Sequence, residues 1–264
     1  MNLRSVTGVY FSPAGHTKTV TRMILSKLSD KKECVDLTDP GKRPEYGFTE
    51  DEAVVVGVPV FAGRVPAKAA ERLKKLHGRQ TPAVLIVTYG NRAYEDALIE
   101  LKDILTAQGF RPVAAAAISV QHSIVTQIAQ DRPDKNDKKK MKQFCIQLKE
   151  LLEQTKSCYE IGDLEVPGNH PYRPYHTSSI KIKVGSECTN CGLCIRKCPV
   201  QAISRTDPKI MDEERCTACM RCISVCPAGT RKISRLLYLA LSQRLKKVCT
   251  ERKEPEFFFC AAQH

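Results

Sequence analysis

Two runs of cysteine constrain this chain more than any other feature. The first is Cys188-x2-Cys191-x2-Cys194-x3-Cys198 followed by Pro199, and the second is Cys216-x2-Cys219-x2-Cys222-x3-Cys226 followed by Pro227. Three cysteines spaced two apart wrap a loop around one iron–sulfur cubane and ligate three of its irons. The fourth, redirected by its proline, reaches the other cluster. On this spacing Cys188, Cys191, Cys194 and Cys226 hold one [4Fe–4S] cluster, and Cys216, Cys219, Cys222 and Cys198 hold the other. Zinc ligands usually come as pairs separated by a longer loop, which these dense quartets do not match. Cys34, Cys145, Cys158, Cys249 and Cys260 have no ligand spacing and read as ordinary thiols.

Upstream, apolar runs alternate with amphipathic segments. Val6–Phe11, Cys34–Leu37, Ala53–Val58, Ala83–Thr88 and Val113–Val120 read as strands. Thr17–Leu28, Ala67–Leu76, Tyr94–Gln108 and Asp137–Thr155 carry apolar residues at helical spacing. Near-continuous apolar strands separated by helices imply a five-stranded parallel sheet covered on both faces, a doubly wound α/β domain over residues 1–160. Its ligand belongs outside the carboxyl ends of the strands. No GxGxxG follows a strand, so a dinucleotide is not indicated. Between the second and third strands, residues 39–44 contain two prolines and a glycine and cannot form a regular helix. The Pro/Gly/aromatic stretch within 161–179 reads as a linker, and 180–232 as a small α+β cluster domain. In 233–264 a helix over Ile233–Val248 is expected to pack back through Ile233, Leu236, Leu237, Ala240 and Leu241, and Phe257–Phe259 is expected to dock.

Three strand ends carry candidate binding loops. After the first stands Ser12–Pro13–Ala14–Gly15–His16–Thr17, a hydroxyl- and glycine-containing turn opening a helix. Such a turn is an anion site, because backbone N–H groups converge there and the helix dipole favours negative charge. After the third comes Pro59–Val60–Phe61–Ala62–Gly63, and after the fourth Tyr89–Gly90–Asn91–Arg92–Ala93–Tyr94. Each of these loops offers an aromatic ring and a glycine, so a flat ring could stack between them. His122, after the fifth strand, is a rim candidate.

The cysteine unit resembles bacterial two-[4Fe–4S] ferredoxins, and the N-terminal part resembles flavodoxins. More closely, the chain resembles the flavodoxin–ferredoxin fusion proteins of anaerobic bacteria. The segments that carry this likeness are Pro59–Pro66, Tyr89–Arg92, the Gly168–Tyr172 linker and the two cysteine runs. The resemblance implies a flavodoxin-like fold, FMN and two [4Fe–4S] clusters. By it Ser12, Gly15, His16 and Thr17 contact the phosphate, Phe61, Ala62 and Gly63 flank the flavin ring, and Asn91 and Tyr94 border its other side. Two departures stand out. Ala14 occupies a position where flavodoxins usually carry a hydroxyl. After Pro227 the chain is expected to enter a helix where ferredoxins commonly form a closing strand.

The formal net charge is +13. Cluster ligation and a flavin phosphate would lower it to about +7. Lysine and arginine are spread along the chain rather than gathered in one stripe, so nucleic acid is not expected and an acidic redox protein is the expected partner. No apolar stretch reaches about 18 residues and no signal pattern opens the chain, so a cytoplasmic protein without a membrane span is expected. The composite reading is an electron carrier that converts two-electron and one-electron traffic. The alternatives are a flavin-dependent reductase of a small acceptor, such as a quinone or nitro compound, and a redox sensor. No convergent acid/base set marks an enzyme.

Overall fold

The computed structural model describes residues 3–31, 33–41, 45–155, 160–175 and 180–261. Its main sheet grows from β-branched and alanine-rich runs buried on both faces. β1 (Ser5–Tyr10) is followed by α1 (His16–Leu28) and the short β2 (Cys34–Asp36). β4 (Glu52–Pro59), α2 (Ala67–Leu73), β6 (Thr81–Tyr89), α3 (Ala97–Ala107), β7 (Phe110–Ser119) and α4 (Lys135–Gln154) complete the alternation. The five strands β2-β1-β4-β6-β7 run parallel. Their chain order is the 2-1-3-4-5 order of flavodoxin-like sheets, with its switch point between β1 and β4. α1 packs on β1, β4 and α4, while α2 and α3 pack on each other. The start of α4 is fixed by a capping box: Asp134 accepts from Asp137 N–H, and the Asp137 carboxylate accepts from Asp134 N–H.

The sheet has a sixth strand. β10 (Glu256–Phe259) pairs antiparallel with β7, placing Phe257, Phe258 and Phe259 opposite Ala116, Ala115 and Ala114. Phe144 of α4 stacks on Phe257 at 4.8 Å and meets Phe259 at 5.2 Å between ring centroids. The expected docking of the phenylalanine run thus takes the form of a strand. The helix α7 (Arg235–Val248) packs back little, with Leu236 82% exposed and Leu239 48% exposed. One further expectation is corrected. α2 ends at Leu73, and Leu76–Gly78 becomes a strand, β5, which pairs parallel with β3 (Tyr46–Phe48). No helix occurs among the described residues between β2 and β4, while Lys42–Pro44 lie outside the described residues.

The cysteine-rich lobe contains β8 (Ile182–Val184), α5 (Leu193–Lys197), α6 (Arg221–Ser224) and β9 (Arg231–Ile233). β9 pairs antiparallel with β8, so a closing strand does follow Pro227, before helix α7. The stretch between the lobes is tied to α3. Asp96 accepts from Asn169 N–H, Asn169 Nδ2 and Arg173 N–H at 2.7–3.0 Å. Asp103 accepts from Tyr172 and meets the His170 ring, and Tyr175 accepts from Ala67 N–H. Cys158 lies outside the described residues.

Phe144 is 1% exposed and bridges α4 to the added strand. The substitution Phe144→Ala should lower the unfolding free energy by about 3–5 kcal/mol, measured by urea denaturation followed by far-UV circular dichroism. A loss below about 1 kcal/mol would mean that β10 does not depend on this aromatic contact.

Candidate functional site

The carboxyl ends of β1, β4, β6 and β7 surround a cleft, the place where a sheet of this order binds its ligand. Its wall is formed by Ser12, Pro13, Ala14, His16 and Thr17 after β1, Pro59–Phe61 at the end of β4, Thr88–Gly90 at the end of β6, and Val120–Ser123 after β7. One more wall residue, Cys219, comes from the cysteine-rich lobe.

The first loop is held by its own hydroxyls. Ser12 N–H donates to Thr38 Oγ1 at 2.6 Å, and Ser12 Oγ accepts from Lys18 N–H at 2.9 Å. The Thr17 and Thr88 hydroxyls share a hydrogen bond of 2.7 Å across the cleft floor. Gly15 stands at φ +97° immediately before α1 and has no side chain to cap it, so Ser12 Oγ, through Lys18 N–H, is the side-chain acceptor on the first turn. A helix N-terminus with its remaining N–H groups facing a cleft suits an anion. Burial lowers the His16 pKa and favours its neutral ring.

On the opposite side, His122 Nδ1 accepts from the N–H groups of Ile124 and Val125 at 3.1 and 3.0 Å. That leaves the ring proton on Nε2. Burial pushes the His122 pKa down to about 4, so the ring is a neutral donor at physiological pH. Gly90 packs on this ring, and a Cβ at Gly90 would come within 2.3 Å of His122 Cδ2.

Asn91 and Tyr94, expected beside the cleft, turn away from it. The Asn91 side chain donates to Glu251 O at 2.8 Å and accepts from Lys253 N–H and Ser119 Oγ, both at 3.1 Å. The Tyr94 hydroxyl donates to Glu256 at 2.8 Å, and burial together with that bond raises its pKa. Both residues therefore hold the returning C-terminal segment. The ring at the end of β6 that reaches the cleft is Tyr89, tilted against Tyr94 at 5.4 Å. Ala62 and Gly63 also lie off the wall, at φ +50° and +82° in a tight turn whose flanking residues, Phe61 and Arg64, exchange two backbone hydrogen bonds. A Cβ at Gly63 would strike the Glu95 carboxylate. Gly15 shapes its loop without lining the cleft. Thr88, Gln121 and Ser123 line it although no spacing in the sequence marks them, since they stand beside predicted residues only in space.

The cysteines gather in two sets. Cys188, Cys191, Cys194 and Cys226 line one cavity together with Pro208, Thr230 and Arg231. Cys198, Cys216, Cys219 and Cys222 form the other set, close enough for their charges to interact. Burial raises the Cys219 thiol to about 12 and the Cys222 thiol to about 11. A hydrogen bond with the Thr230 hydroxyl, joined by backbone N–H groups, lowers Cys226 to about 7. Ala202 N–H donates to Cys198 Sγ at 3.3 Å. Among the described residues no three His, Cys, Asp or Glu side chains draw close enough to share one ion. Four cysteine donors in each set are the donor complement of a [4Fe–4S] cluster.

The family model described as the 4Fe-4S dicluster domain matches residues 187–230. This segment is a 4Fe–4S dicluster domain. For the remainder of the chain, similarity is found among solved structures. An archaeal flavodoxin is 14% identical, covering 57% of this chain and 99% of its own, with a TM-score of 0.37. A Streptococcus pneumoniae flavodoxin is 13% identical over 57% and 99%, with a TM-score of 0.39. A Fusobacterium nucleatum flavodoxin bound to flavin mononucleotide is 12% identical over 55% and 97%, also at 0.39. No match is found among curated proteins. The fold assignment stands on the strand order itself. Clusters of the dicluster type exchange single electrons, which gives the chain a redox role. Among the described residues no helix is long and apolar enough to cross a membrane.

The neutral His122 ring sets a pH dependence. The unfolded chain's histidine takes a proton near pH 6.5, whereas the folded ring does so only near pH 4. Between these values the unfolded state holds the extra proton, so stability falls as pH falls. Replacing His122 by Asn keeps an acceptor for the Ile124 and Val125 N–H groups and removes the titration. The variant should lose part of the acid-dependent decline across this window, read from urea midpoints of the two proteins. Parallel declines would place the titration elsewhere.

Proposed function

We propose that the cleft binds FMN and that the chain passes electrons between it and two [4Fe–4S] clusters, for exchange with a redox protein. The observation that carries this reading is Cys219, a ligand candidate of one cluster that also lines the cleft. The wall suits a phosphorylated flat ring. The start of α1, which Gly15 leaves without a side-chain cap of its own, receives the phosphate with Ser12, His16 and Thr17. Phe61 provides an aromatic face, Tyr89 the floor, and His122 Nε2–H a donor toward a ring heteroatom. FMN, when bound, exchanges two electrons with one partner and single electrons with another.

The residues also give the relay an order. Cys198, Cys216, Cys219 and Cys222 hold the cluster next to the cleft. Cys188, Cys191, Cys194 and Cys226 hold the outer one, whose Cys191 is exposed. The outer quartet is then where a partner meets the chain, and the basic character of the protein favours an acidic one. The domain division follows the same reading: residues 1–160 for the flavin, 180–232 for the clusters, and the 161–179 segment as a strap between them.

Anaerobic purification followed by iron, sulfide and flavin assay should give about eight irons, eight sulfides and one FMN per chain. Cys219→Ala should retain FMN, lose about half the iron and slow electron passage from reduced flavin to the remaining cluster in stopped-flow measurements. Eight irons with no FMN bound, even after FMN is added, would sink the flavin reading and leave the dicluster domain standing.

A further inference from the structure

Arg221 opens α6, two residues after Cys219. Its backbone N–H lies on the side of the Cys219 sulfur and favours the thiolate there. Its side chain runs the other way, across the seam between the lobes, and Nη1 donates to Pro13 O at 3.2 Å. Pro13 stands in the loop that opens α1, between Ser12 and Ala14, and both Pro13 and Cys219 belong to the cleft wall. The Nε of Arg221 is sequestered from solvent and has no hydrogen-bond partner. A buried guanidinium N–H without an acceptor is costly. Here it lies against the loop suited to an anion, in a chain where Ala14 leaves that loop one hydroxyl short of the flavodoxin pattern.

We propose that Arg221, carried by the dicluster domain, completes the phosphate cradle of the flavin cleft. This inference rests on the flavin reading above. A guanidinium presents several donors in a planar fork that matches phosphate oxygens. The carbonyl of Pro13 holds the group against the loop through Nη1, while Nη2, which is not sequestered, is left for an oxygen of the phosphate. Flavin affinity then depends on the dicluster domain being in place. FMN is favoured over riboflavin by a charge that the flavodoxin-like domain does not itself contain at this position. Arg221 is a binding residue for the phosphate end and has no part in electron exchange.

The test uses the full-length, cluster-loaded protein stripped of flavin by dialysis and titrated anaerobically with FMN and with riboflavin. Arg221→Gln should weaken FMN binding by about tenfold or more and leave riboflavin within about twofold. Arg221→Lys should fall between wild type and Gln for FMN, because a lysine keeps the charge and loses the fork. Added salt should weaken FMN binding more in wild type than in the Gln variant. Parallel weakening of FMN and riboflavin would overturn the proposal, since Arg221 would then only shape the cleft. Unchanged affinity for both with a shifted cluster potential would overturn it too, since the side chain would then serve the Cys219 sulfur. If Arg221→Gln fails to load clusters, Arg221→Lys decides: a severalfold loss for FMN alone supports the assignment, and no loss refutes it. A wild-type protein that binds neither flavin would remove the flavin reading itself, an outcome distinct from failure of the arginine alone.

Discussion

The antiparallel pairing of β10 with β7 decides how the two lobes relate. The chain leaves the sheet after α4, builds the dicluster domain, and would otherwise end far from its start. Instead the tail returns to the β7 edge, where four successive alanines leave a shallow surface for three phenylalanines. Large side chains against small ones fill the space without strain, and a sheet edge that would otherwise be open is covered. The return path is fastened on its way. Arg132, 4% exposed at its side chain, forms a bidentate pair with the fully buried Asp137 and donates to Lys253 O. Asn91 holds Glu251 and Lys253 in the same neighbourhood. A buried pair of this kind is valuable for fixing one arrangement rather than for net stability. Here it locks the start of α4, the end of β6 and the returning segment into one geometry.

With both ends of the dicluster domain fastened, the seam between the lobes is set by a few long cationic side chains. Arg72, buried at the end of α2, donates to Leu37 O on one side and to Pro199 O on the other. Burial lowers its pKa, opposed by the nearby carboxylates of Glu71, Asp39 and Asp36. Lys197 meets Asp39 at 3.3 Å, and Arg221 meets Pro13. Each of these contacts carries direction, because a guanidinium fork donates along fixed lines. A lobe that contributes Cys219 to the cleft wall requires this sort of positioning, since a loosely tethered one would leave Cys219 there only part of the time.

The parts of this arrangement visible in the sequence are those whose signal is local. The cysteine spacing is local within each run, and the exchange of the fourth cysteine between runs, which the structure also shows in space, is the part carried by the pattern rather than by proximity in sequence. The parallel strands announced themselves as buried apolar runs, and the anion loop as a turn opening a helix. Leu76 continued the spacing of Leu73 and so masqueraded as helix, although the chain leaves α2 at Leu73 to pair with Tyr46–Phe48. β9 is three residues, Arg231–Ile233, too short to show alternation. Phe257–Phe259 has no alternation either, and its partner lies about 140 residues upstream in β7. Tyr89 and Tyr94 sit on the same loop with the same chemistry, and only the path of the return segment decides which of them faces the cleft. Arg221 gave no sign at all, because its meaning depends on a loop more than 200 residues away.

Asp96 shows how the positions of the two lobes are reconciled. It stands at the N-cap of α3, where an aspartate normally accepts from the first-turn N–H groups, yet its side chain makes no such bond. Its carboxylate instead holds Asn169 and the Arg173 N–H in the strap. Burial opposes its ionised form, but those donors outweigh it and keep the carboxyl below the usual range. The neighbouring Arg64, paired with Glu100 at 2.7 Å, reaches the Arg173 carbonyl and lies over the Tyr172 ring at 4.7 Å. A foregone cap costs α3 about 1 kcal/mol, while the donors gathered by Asp96 fix the segment on which the dicluster domain hangs. The helix is left imperfect so that the path between the lobes is defined, and that path, with the β10 return, keeps Cys219 in the cleft wall.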